Sequence, residues 1–349
     1  MIVTVVGVGL IGGSLGLAAR RSGEFTVRGV SPRAQLALEA GLIDEAFDDL
    51  EAALDGADIA VVAVPAAIAG EKLAEVLAAA PEGCAVTDVG STKAGVVAVA
   101  AGDERFVGGH PLAGAEVSGF EHAREGLFEE ATWYLTPTPE TSGVALERVH
   151  RMVTATGARP TILEAGEHDR MMATVSHLPH VFANLLVAQA AVALGERTIP
   201  VAGPSFRDAT RVAGAAPALW ASIYEDNADA LIAEIDTTVS RLEEVRSALA
   251  GGDREWLEAW QAAAAEDRRR LTEEGLGGGP VQEIPVAVPN RPGVVAEIAL
   301  ALARADVSIA DMALSPAPDR RSGVITLWVP REQASRAESC LAEIDLATR

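Results

Sequence analysis

Residues 1–14 read MIVTVVGVGLIGGS, and this stretch decides the fold of the chain. Its apolar, β-branched start predicts a strand, and the glycines that follow have the spacing G-x-G-x-x-G at the opening of a helical pattern. Glycines there let the backbone turn tightly and approach a pyrophosphate, whose charge meets the helix N-terminus. A glycine-rich turn without a ligand is the alternative. The predicted cofactor contacts are Gly7, Gly9, Leu10, Ile11 and Gly12.

Outward from this turn, short β-rich runs alternate with helical stretches as far as residue 164. Such alternation predicts an α/β Rossmann domain over residues 1–164, in which helices cover both faces of a parallel sheet. The predicted strands are residues 2–6, 27–30, 59–64, 85–89, 106–108, 133–136 and 161–164.

Residues 165–274 show no strand pattern and predict an all-α domain. The segment 170–194 is apolar on most sides, which is typical of a helix buried in the protein or against another subunit. A second chain is the simplest source of that cover, so we expect a homodimer formed through this domain. Residues 275–280, GLGGGP, predict a flexible linker.

Residues 281–349 predict a small α+β domain. Its pattern of strand, helix, strand, strand and helix is most of a ferredoxin-like βαββαβ unit, with the last strand nearly absent at residues 346–349. The predicted elements are residues 281–288, 293–305, 307–314, 323–329 and 331–344.

The 349 residues carry a formal net charge of −22, and 22% of them are charged. This length predicts two or three domains, and the composition is that of an ordinary globular protein. The negative charge argues against a nucleic-acid partner, because phosphate backbones need a basic face. An anionic substrate would need a pocket that local arginines make positive.

The sequence favours a cytoplasmic location. The N-terminus lacks the basic start and cleavage site of a signal peptide. The longest apolar stretch, residues 181–194, is too short to span a bilayer, so no membrane partner is expected. Cys84 and Cys340 lie far apart without metal-type spacing, which fits a reducing compartment.

The end of the second predicted strand bears on the choice of cofactor. Sites that prefer NAD usually have Asp or Glu there to hold the ribose hydroxyls, whereas this chain has Ser31, Pro32 and Arg33. Ser31 and Arg33 suit a 2′-phosphate, so NADP is slightly preferred over NAD. Arg33 as a solvated charge at a helix start is the alternative.

Further motifs give the chain its resemblance to a known family. The motifs are GLIGGS at 9–14, DVGSTK at 88–93, GHPLAGAE at 109–116, SHLPH at 176–180, SFRDATR at 205–211, and Trp220. Together they resemble the prephenate/arogenate dehydrogenase family over about residues 1–272. The resemblance implies oxidative decarboxylation of prephenate to 4-hydroxyphenylpyruvate in tyrosine biosynthesis, or of arogenate to tyrosine. A β-hydroxyacid-type dehydrogenase, or a nucleotide-sensing regulator without catalysis, would explain the glycines but not the histidine motifs.

In this chemistry a base must accept the C4 hydroxyl proton while hydride leaves C4 for the nicotinamide. The resemblance implies that His110 takes this role, with its neutral nitrogen as the acceptor. Ser91 has a hydroxyl suited to bonding either His110 or the substrate hydroxyl. A helix N-cap is the structural alternative for Ser91.

Prephenate carries two carboxylates, and the family pattern implies an arginine to hold one of them. Arg211 occupies the matching position, since a guanidinium can bind a carboxylate with two parallel hydrogen bonds. Arg207 is a second candidate, with a surface salt bridge as its alternative. Glu116 is expected to close the pocket entrance or to couple to a basic residue, and a solvated loop acid is equally compatible.

The spacing of His177, His180 and Asn184 puts them on one helix face, with Pro179 bending the helix beside them. We expect His180 to bind substrate and His177 to support it. A zinc site is the alternative, but the stretch lacks the His-Glu-x-x-His pattern and a cysteine partner, so no metal is predicted.

Only Lys72 and Lys93 are lysines among the 28 basic residues. Lys93 is expected to be kept where a compact ammonium fits and a guanidinium does not. A lysine surviving by chance on a helix is the alternative.

The stretch 286–295, VAVPNRPGVV, resembles the opening of ACT domains. In that family the strand-to-helix turn helps to form an amino-acid site between paired modules. The resemblance implies an ACT-like regulatory domain at residues 281–349, with tyrosine as a possible effector. A purely structural module is the alternative.

Overall fold

The computed structural model describes residues 1–114, 117, 119–195, 203–275, 281–289, 291, 293–317 and 321–344. Its contacts divide the chain into two compact units. One comprises Met1–Val187 and Val212–Thr238, and the other Ala188–Arg211 and Val239–Arg349.

The first unit is built on an eight-stranded sheet of order β3-β2-β1-β4-β5-β6-β7-β8. The strands are β1 Ile2–Val6, β2 Thr26–Val30, β3 Glu45–Phe47, β4 Ile59–Val62, β5 Ala85–Asp88, β6 Phe106–Pro111, β7 Thr132–Thr136 and β8 Arg159–Ile162. The predicted Rossmann fold is confirmed. β3 was not predicted, and β7 runs antiparallel to β6, so the expectation of an all-parallel sheet is wrong at this pair.

Helices cover both faces of this sheet, as the sequence predicts. They are α1 Leu10–Arg21, α2 Ala34–Glu39, α3 Leu50–Leu54, α4 Ala66–Ala79, α5 Ala94–Ala100 and α6 Gly143–Ala155. In β4, Ile59 and Val61 pack into one apolar cluster, and Ala60 and Val62 pack into another. Burial of both strand faces explains the continuous apolar run that marks this strand in the sequence.

A long helical stretch follows the sheet. It consists of α7 Ala165–Met172, a π turn at Ala173–His177 and α8 Leu178–Leu194. In the π turn the Leu178 N–H donates to the Ala173 carbonyl, five residues back. Pro179 has no N–H, so the irregular turn lies just before the proline that was expected to bend the helix.

The helix Ala165–Leu194 has 30 residues and is long and apolar enough to cross a membrane by length and composition alone. This helix is longer than the apolar stretch 181–194, which was predicted to be too short to span a bilayer. Few of its residues are buried in the chain, and Val192 is 82% exposed. The apolar surface of α8 is thus left without cover among the described residues, as the homodimer prediction requires.

The remaining helices of the predicted all-α region are α9 Pro204–Thr210, α10 Pro217–Asp226, α11 Ala228–Gly251 and α12 Arg254–Gly275. No strand occurs among the described residues of this region. α12 ends at Gly275, the first residue of the predicted linker, and residues 276–280 lie outside the described part of the chain.

The C-terminal part contains a three-stranded antiparallel sheet of order β10-β11-β9. Its elements are β9 Val281–Pro289, α13 Val294–Arg304, β10 Asp311–Pro316, β11 Ser322–Pro330, and α14 Ala334–Glu343 after a 3-10 turn at Arg331–Gln333. Ile284, Ile298, Leu327 and Leu341 belong to one buried cluster that joins sheet and helices. This arrangement is compatible with an ACT-like domain. The predicted final strand lies outside the described residues.

Candidate active site

The glycine turn joins β1 to α1. Gly7 has φ +103° and donates its N–H to the Val30 carbonyl. A Cβ at Gly7 would collide with the Ala63 carbonyl, and one at Gly12 with the Gly7 carbonyl, so both positions require glycine. By contrast, nothing lies within 4 Å of a Cβ built on Gly9, which begins α1 without a side-chain cap. The open Gly9 face and the uncapped helix N-terminus fit a pyrophosphate.

Ser31 follows β2, and its Oγ accepts a hydrogen bond of 3.3 Å from the Arg33 backbone N–H. The Arg33 guanidinium forms an ion pair with Glu121 and lies 4.4 Å from the centre of the Phe120 ring. Backbone hydrogen bonding and the Arg33 side chain lower the pKa of Glu121. The predicted cationic residue is therefore present at the strand end, but an acidic partner occupies it.

His110 lies near the end of β6, rather than in a loop, and is 8% exposed. Its Nδ1 is 2.8 Å from Nε2 of His168, and His168 Nδ1 is 2.8 Å from Asp169 Oδ1. The sequence analysis missed His168 and Asp169. The one available signal was a His-Asp pair in a chain with six histidines.

The chemistry of these contacts assigns the protons. An ionised Asp169 can only accept, so His168 donates through Nδ1 and keeps a lone pair on Nε2. His110 then donates through Nδ1 to that lone pair, which leaves His110 Nε2 as a proton acceptor. The hydrogen-bonding partner of His110 Nδ1 is therefore His168 and not Ser91.

Burial is the main cause that lowers the pKa of His110 well below its ordinary value, and electrostatic interactions with Lys93, His168 and His177 act in the same direction. His110 is therefore neutral at neutral pH. A neutral imidazole is the state that the proposed base needs.

A buried ion pair between Lys93 and Asp88 fixes the backbone of Gly109, the residue that precedes His110. Lys93 Nζ bonds Asp88 and donates to the Gly109 carbonyl at 2.7 Å, while Asp88 accepts the Gly109 N–H at 3.0 Å. Burial lowers the pKa of Lys93, opposed by the charge of Asp88. The Lys93 side chain is fully buried, in accord with the expectation that a compact ammonium is needed at this position.

Ser91 lies between β5 and α5 and is partly exposed. No hydrogen bond joins Ser91 to His110 within the described part of the chain. Ser91 was predicted to bond either His110 or the substrate hydroxyl, and this geometry leaves the substrate hydroxyl as its partner.

Both predicted histidines of the SHLPH motif contact Trp220. The His180 ring stacks on the indole with a centroid distance of 3.4 Å, and His177 meets it edge-on at 6.0 Å. His177 is 2% exposed, and its Nδ1 lies 3.1 Å from Nδ2 of Asn227. Burial lowers the pKa of His177 to about 4. His177 is thus buried, whereas His180 is partly exposed.

Three predicted binding residues are not brought to this cluster by any described contact. Arg207 lies in α9 and Arg211 begins a 3-10 turn, both in the second unit. Glu116 falls outside the described residues. Nowhere in the described ranges do three or more His, Cys, Asp or Glu side chains form a group that could hold a metal ion.

Topology brings the glycine turn, Ser91 and His110 to one edge of the sheet. They follow or end β1, β5 and β6, which are parallel strands in the order β1-β4-β5-β6. Ligands of open α/β sheets bind at this carboxyl edge. A glycine turn and a buried histidine at the carboxyl edge of a Rossmann sheet are the features expected of a nucleotide-dependent dehydrogenase.

Comparison with known proteins narrows this class. The family described as "Prephenate dehydrogenase, nucleotide-binding domain" matches residues 15–162, and "Prephenate dehydrogenase, dimerization domain" matches residues 164–262. Prephenate dehydrogenase of Bacillus subtilis (strain 168) is 31% identical over an alignment 355 positions long, which covers 97% of this chain and 95% of that protein. The chain belongs to the prephenate dehydrogenase family.

Two solved structures are also similar. Synechocystis arogenate dehydrogenase shares 29% identity with a TM-score of 0.69, covering 78% of this chain and 100% of that one. Prephenate dehydrogenase from A. aeolicus, in complex with hydroxyphenyl propionate and NAD+, shares 28% identity with a TM-score of 0.69, covering 78% and 98%. These findings support NAD(P) as the cofactor class, without a preference for NADP.

Proposed function

We propose that this enzyme catalyses the NAD(P)-dependent oxidative decarboxylation of prephenate to 4-hydroxyphenylpyruvate. The observation that carries the proposal is the buried, neutral His110, whose Nδ1 is occupied by His168 so that Nε2 is left to accept a proton. The family membership and the glycine turn at the same sheet edge support it.

In the proposed reaction, His110 Nε2 takes the proton of the C4 hydroxyl as carbonyl character builds at C4. A bound nicotinamide supplies the acceptor for the hydride that leaves C4. Loss of carbon dioxide from C1 then returns the bonding pair to the ring, which becomes aromatic, and the C4 oxygen recovers the proton from His110. Ser91 is proposed to orient the C4 hydroxyl.

The carboxylates of prephenate need cationic partners in a chain of charge −22. We assign one carboxylate to Arg211, keep Arg207 as a second candidate for this role, and assign Glu116 to closing the pocket entrance or coupling to a basic residue. His180, stacked on Trp220, is assigned to the substrate side chain, and His177 to support of the helix.

The decisive assay follows reduced-cofactor absorbance with prephenate and with arogenate. Arogenate is included because the similar Synechocystis structure is an arogenate dehydrogenase. His110→Asn should lower kcat by about 10²–10⁴-fold while cofactor affinity is kept. His150→Asn, which changes an exposed histidine of α6, is the matched control and should leave kcat unchanged. Wild-type activity on neither substrate would refute the proposal.

We infer that NADP binding requires Arg33 to exchange Glu121 for the 2′-phosphate. The ion pair between these side chains supports this, because a carboxylate beside Arg33 repels a phosphate. NAD has no such requirement, so both cofactors are expected to be used.

We also propose a cytoplasmic homodimer formed through α8. The exposed apolar residues Leu185 and Val192, and the match to a dimerisation family, support it. Leu185→Glu should yield monomers by light scattering, with Leu36→Glu on α2 as the exposed apolar control. A wild-type chain that is monomeric, or that needs detergent to remain in solution, would contradict the proposal.

We propose the domain organisation 1–164 for the Rossmann domain, 165–274 for the all-α domain, 275–280 for a linker and 281–349 for the C-terminal domain. For the last of these we propose an ACT-like regulatory role with tyrosine as effector. Gly293, with φ +88° at the start of α13, fits the strand-to-helix turn of that family. Tyrosine should change the rate or the unfolding temperature of the full chain, and no change in either would refute the role.

A further inference from the structure

We propose that His168 and Asp169 are positioning residues that hold His110 in its proton-accepting tautomer, and that Asp169 also fixes the segment that carries Ser91. This inference rests on the proposed function of His110. It adds two residues that touch neither substrate nor cofactor in the proposed reaction.

The three side chains form a continuous buried chain. His168 is fully buried, the Asp169 side chain is 5% exposed, and each link is 2.8 Å long. The rings of His110 and His168 meet edge-on with centroids 5.0 Å apart, as expected when one ring nitrogen points at the other. Such a chain has one consistent set of donors only while Asp169 is ionised.

Asp169 has the environment of a permanent anion. Burial alone would raise its pKa, but the His168 hydrogen bond and two backbone N–H donors outweigh burial and hold the pKa below its ordinary value. Those donors are the Lys93 and Ala94 N–H groups, each at 2.8 Å. The negative charge therefore persists at neutral pH and favours positive charge on the histidine chain when His110 takes a proton.

The same two backbone bonds tie Asp169 to the start of α5. Ser91 lies two residues before Lys93, so one carboxylate orients the base and anchors the loop that carries the proposed hydroxyl ligand. The Asn227 side-chain amide also holds the backbone of Asp169, because it donates a hydrogen bond of 2.8 Å to the Asp169 carbonyl. A shift of Asp169 would therefore move both proposed reacting groups.

Asp169→Asn tests the tautomer directly. The new amide can donate to His168 Nδ1 when its nitrogen takes the place of the oxygen that also accepts the Lys93 N–H. That orientation would reverse both histidines and put the proton on His110 Nε2, where the substrate proton must arrive. We expect kcat to fall by about 10²–10⁴-fold with little change in KM. ¹⁵N NMR of the labelled histidine rings should show His110 changing from the Nδ1–H to the Nε2–H form.

A second pair of variants covers the case in which Asp169→Asn does not fold. His168→Gln can accept from His110 through its carbonyl and donate to Asp169 through its amide, so it should keep the tautomer and much of kcat. His168→Leu can do neither and should lose both. Glu164→Gln is the matched control, because Glu164 caps α7 through the Gly166 and Glu167 N–H groups.

The outcomes separate the two proposals. If wild-type enzyme turns over neither prephenate nor arogenate, the proposed function fails, whereas the NMR tautomer still tests the chain of hydrogen bonds. If His110 keeps Nδ1–H in a folded His168→Leu variant, or if His168→Leu matches His168→Gln in kcat, the positioning role is refuted.

Discussion

Replacing Lys93 with methionine tests whether the buried ion pair stabilises the fold beneath the base. Methionine is unbranched and of similar length, so the change removes the ammonium and little volume. The side chains of Lys93 and Asp88 are 0% and 2% exposed, so the variant leaves a carboxylate without its cation in the interior. Breaking such a pair from one side costs about 3–5 kcal/mol of unfolding free energy.

The remaining contacts of Asp88 set the value within that range. Its two oxygens still accept the Gly90 and Gly109 N–H groups at 2.8 and 3.0 Å. Because each hydrogen bond to a charged group contributes about 1.5–3 kcal/mol, we expect a loss near the lower end, about 3 kcal/mol. kcat/KM should fall as well, since Lys93 also holds the Gly109 carbonyl next to His110.

Urea unfolding at fixed protein concentration measures this loss, and an unchanged slope would show that the unfolded state is unaltered. Lys72→Met is the matched control, because Lys72 is partly exposed and pairs with Glu75 on one helix, an interaction worth about 0–1 kcal/mol. Adding Asp88→Asn to Lys93→Met should recover stability by removing the stranded charge. A Lys93→Met loss no greater than that of Lys72→Met would refute the reasoning.

Three other predictions follow from single contacts. Glu121→Gln should raise kcat/KM with NADP several-fold relative to NAD, because it releases Arg33; an unchanged ratio in steady-state kinetics would contradict the exchange. Gly9→Ala should keep the unfolding free energy but weaken cofactor binding measured by calorimetry, whereas Gly12→Ala should lower the unfolding free energy. Equal unfolding free energies of the two variants would argue against the described turn. As pH falls from 6.5 toward 4, His177 becomes protonated in the unfolded chain but stays neutral in the folded one, so about 2–3 kcal/mol of unfolding free energy should be lost over that interval. His177→Gln should show a smaller loss when urea unfolding is measured across this pH range. An identical pH dependence in wild type and variant would exclude His177 as the cause.

The sequence predicted those parts of the fold that depend on local pattern. The apolar run at β4 and the glycines after β1 correspond to a doubly buried strand and a tight turn. β3 has only three residues, too few for a periodic signal. The reversal of β7 could not be predicted either, because strand direction depends on the path of the intervening chain and a strand has the same apolar pattern in both directions.

The candidate site was predicted in the same uneven way. His110 and Ser91 stand in motifs, but His168 and Asp169 lie within a helix and acquire their role only through contact with a residue 58 positions away. Ser91 was predicted to bond either His110 or the substrate hydroxyl, and the partner found at His110 Nδ1 is instead His168. Lys93 was singled out by composition, and its burial gives that observation a physical cause.

The burial of Lys93 has a practical consequence for surface chemistry. Of the two lysine side chains, Lys72 is 30% exposed and Lys93 is fully buried, so amine-reactive dyes, cross-linkers or resins should modify Lys72 in α4 and leave Lys93 unmodified in the native protein. A sensor surface or a fluorophore could thus be attached at a known residue without mutagenesis. Acylation of Lys93 would show that the buried region around its side chain had unfolded locally.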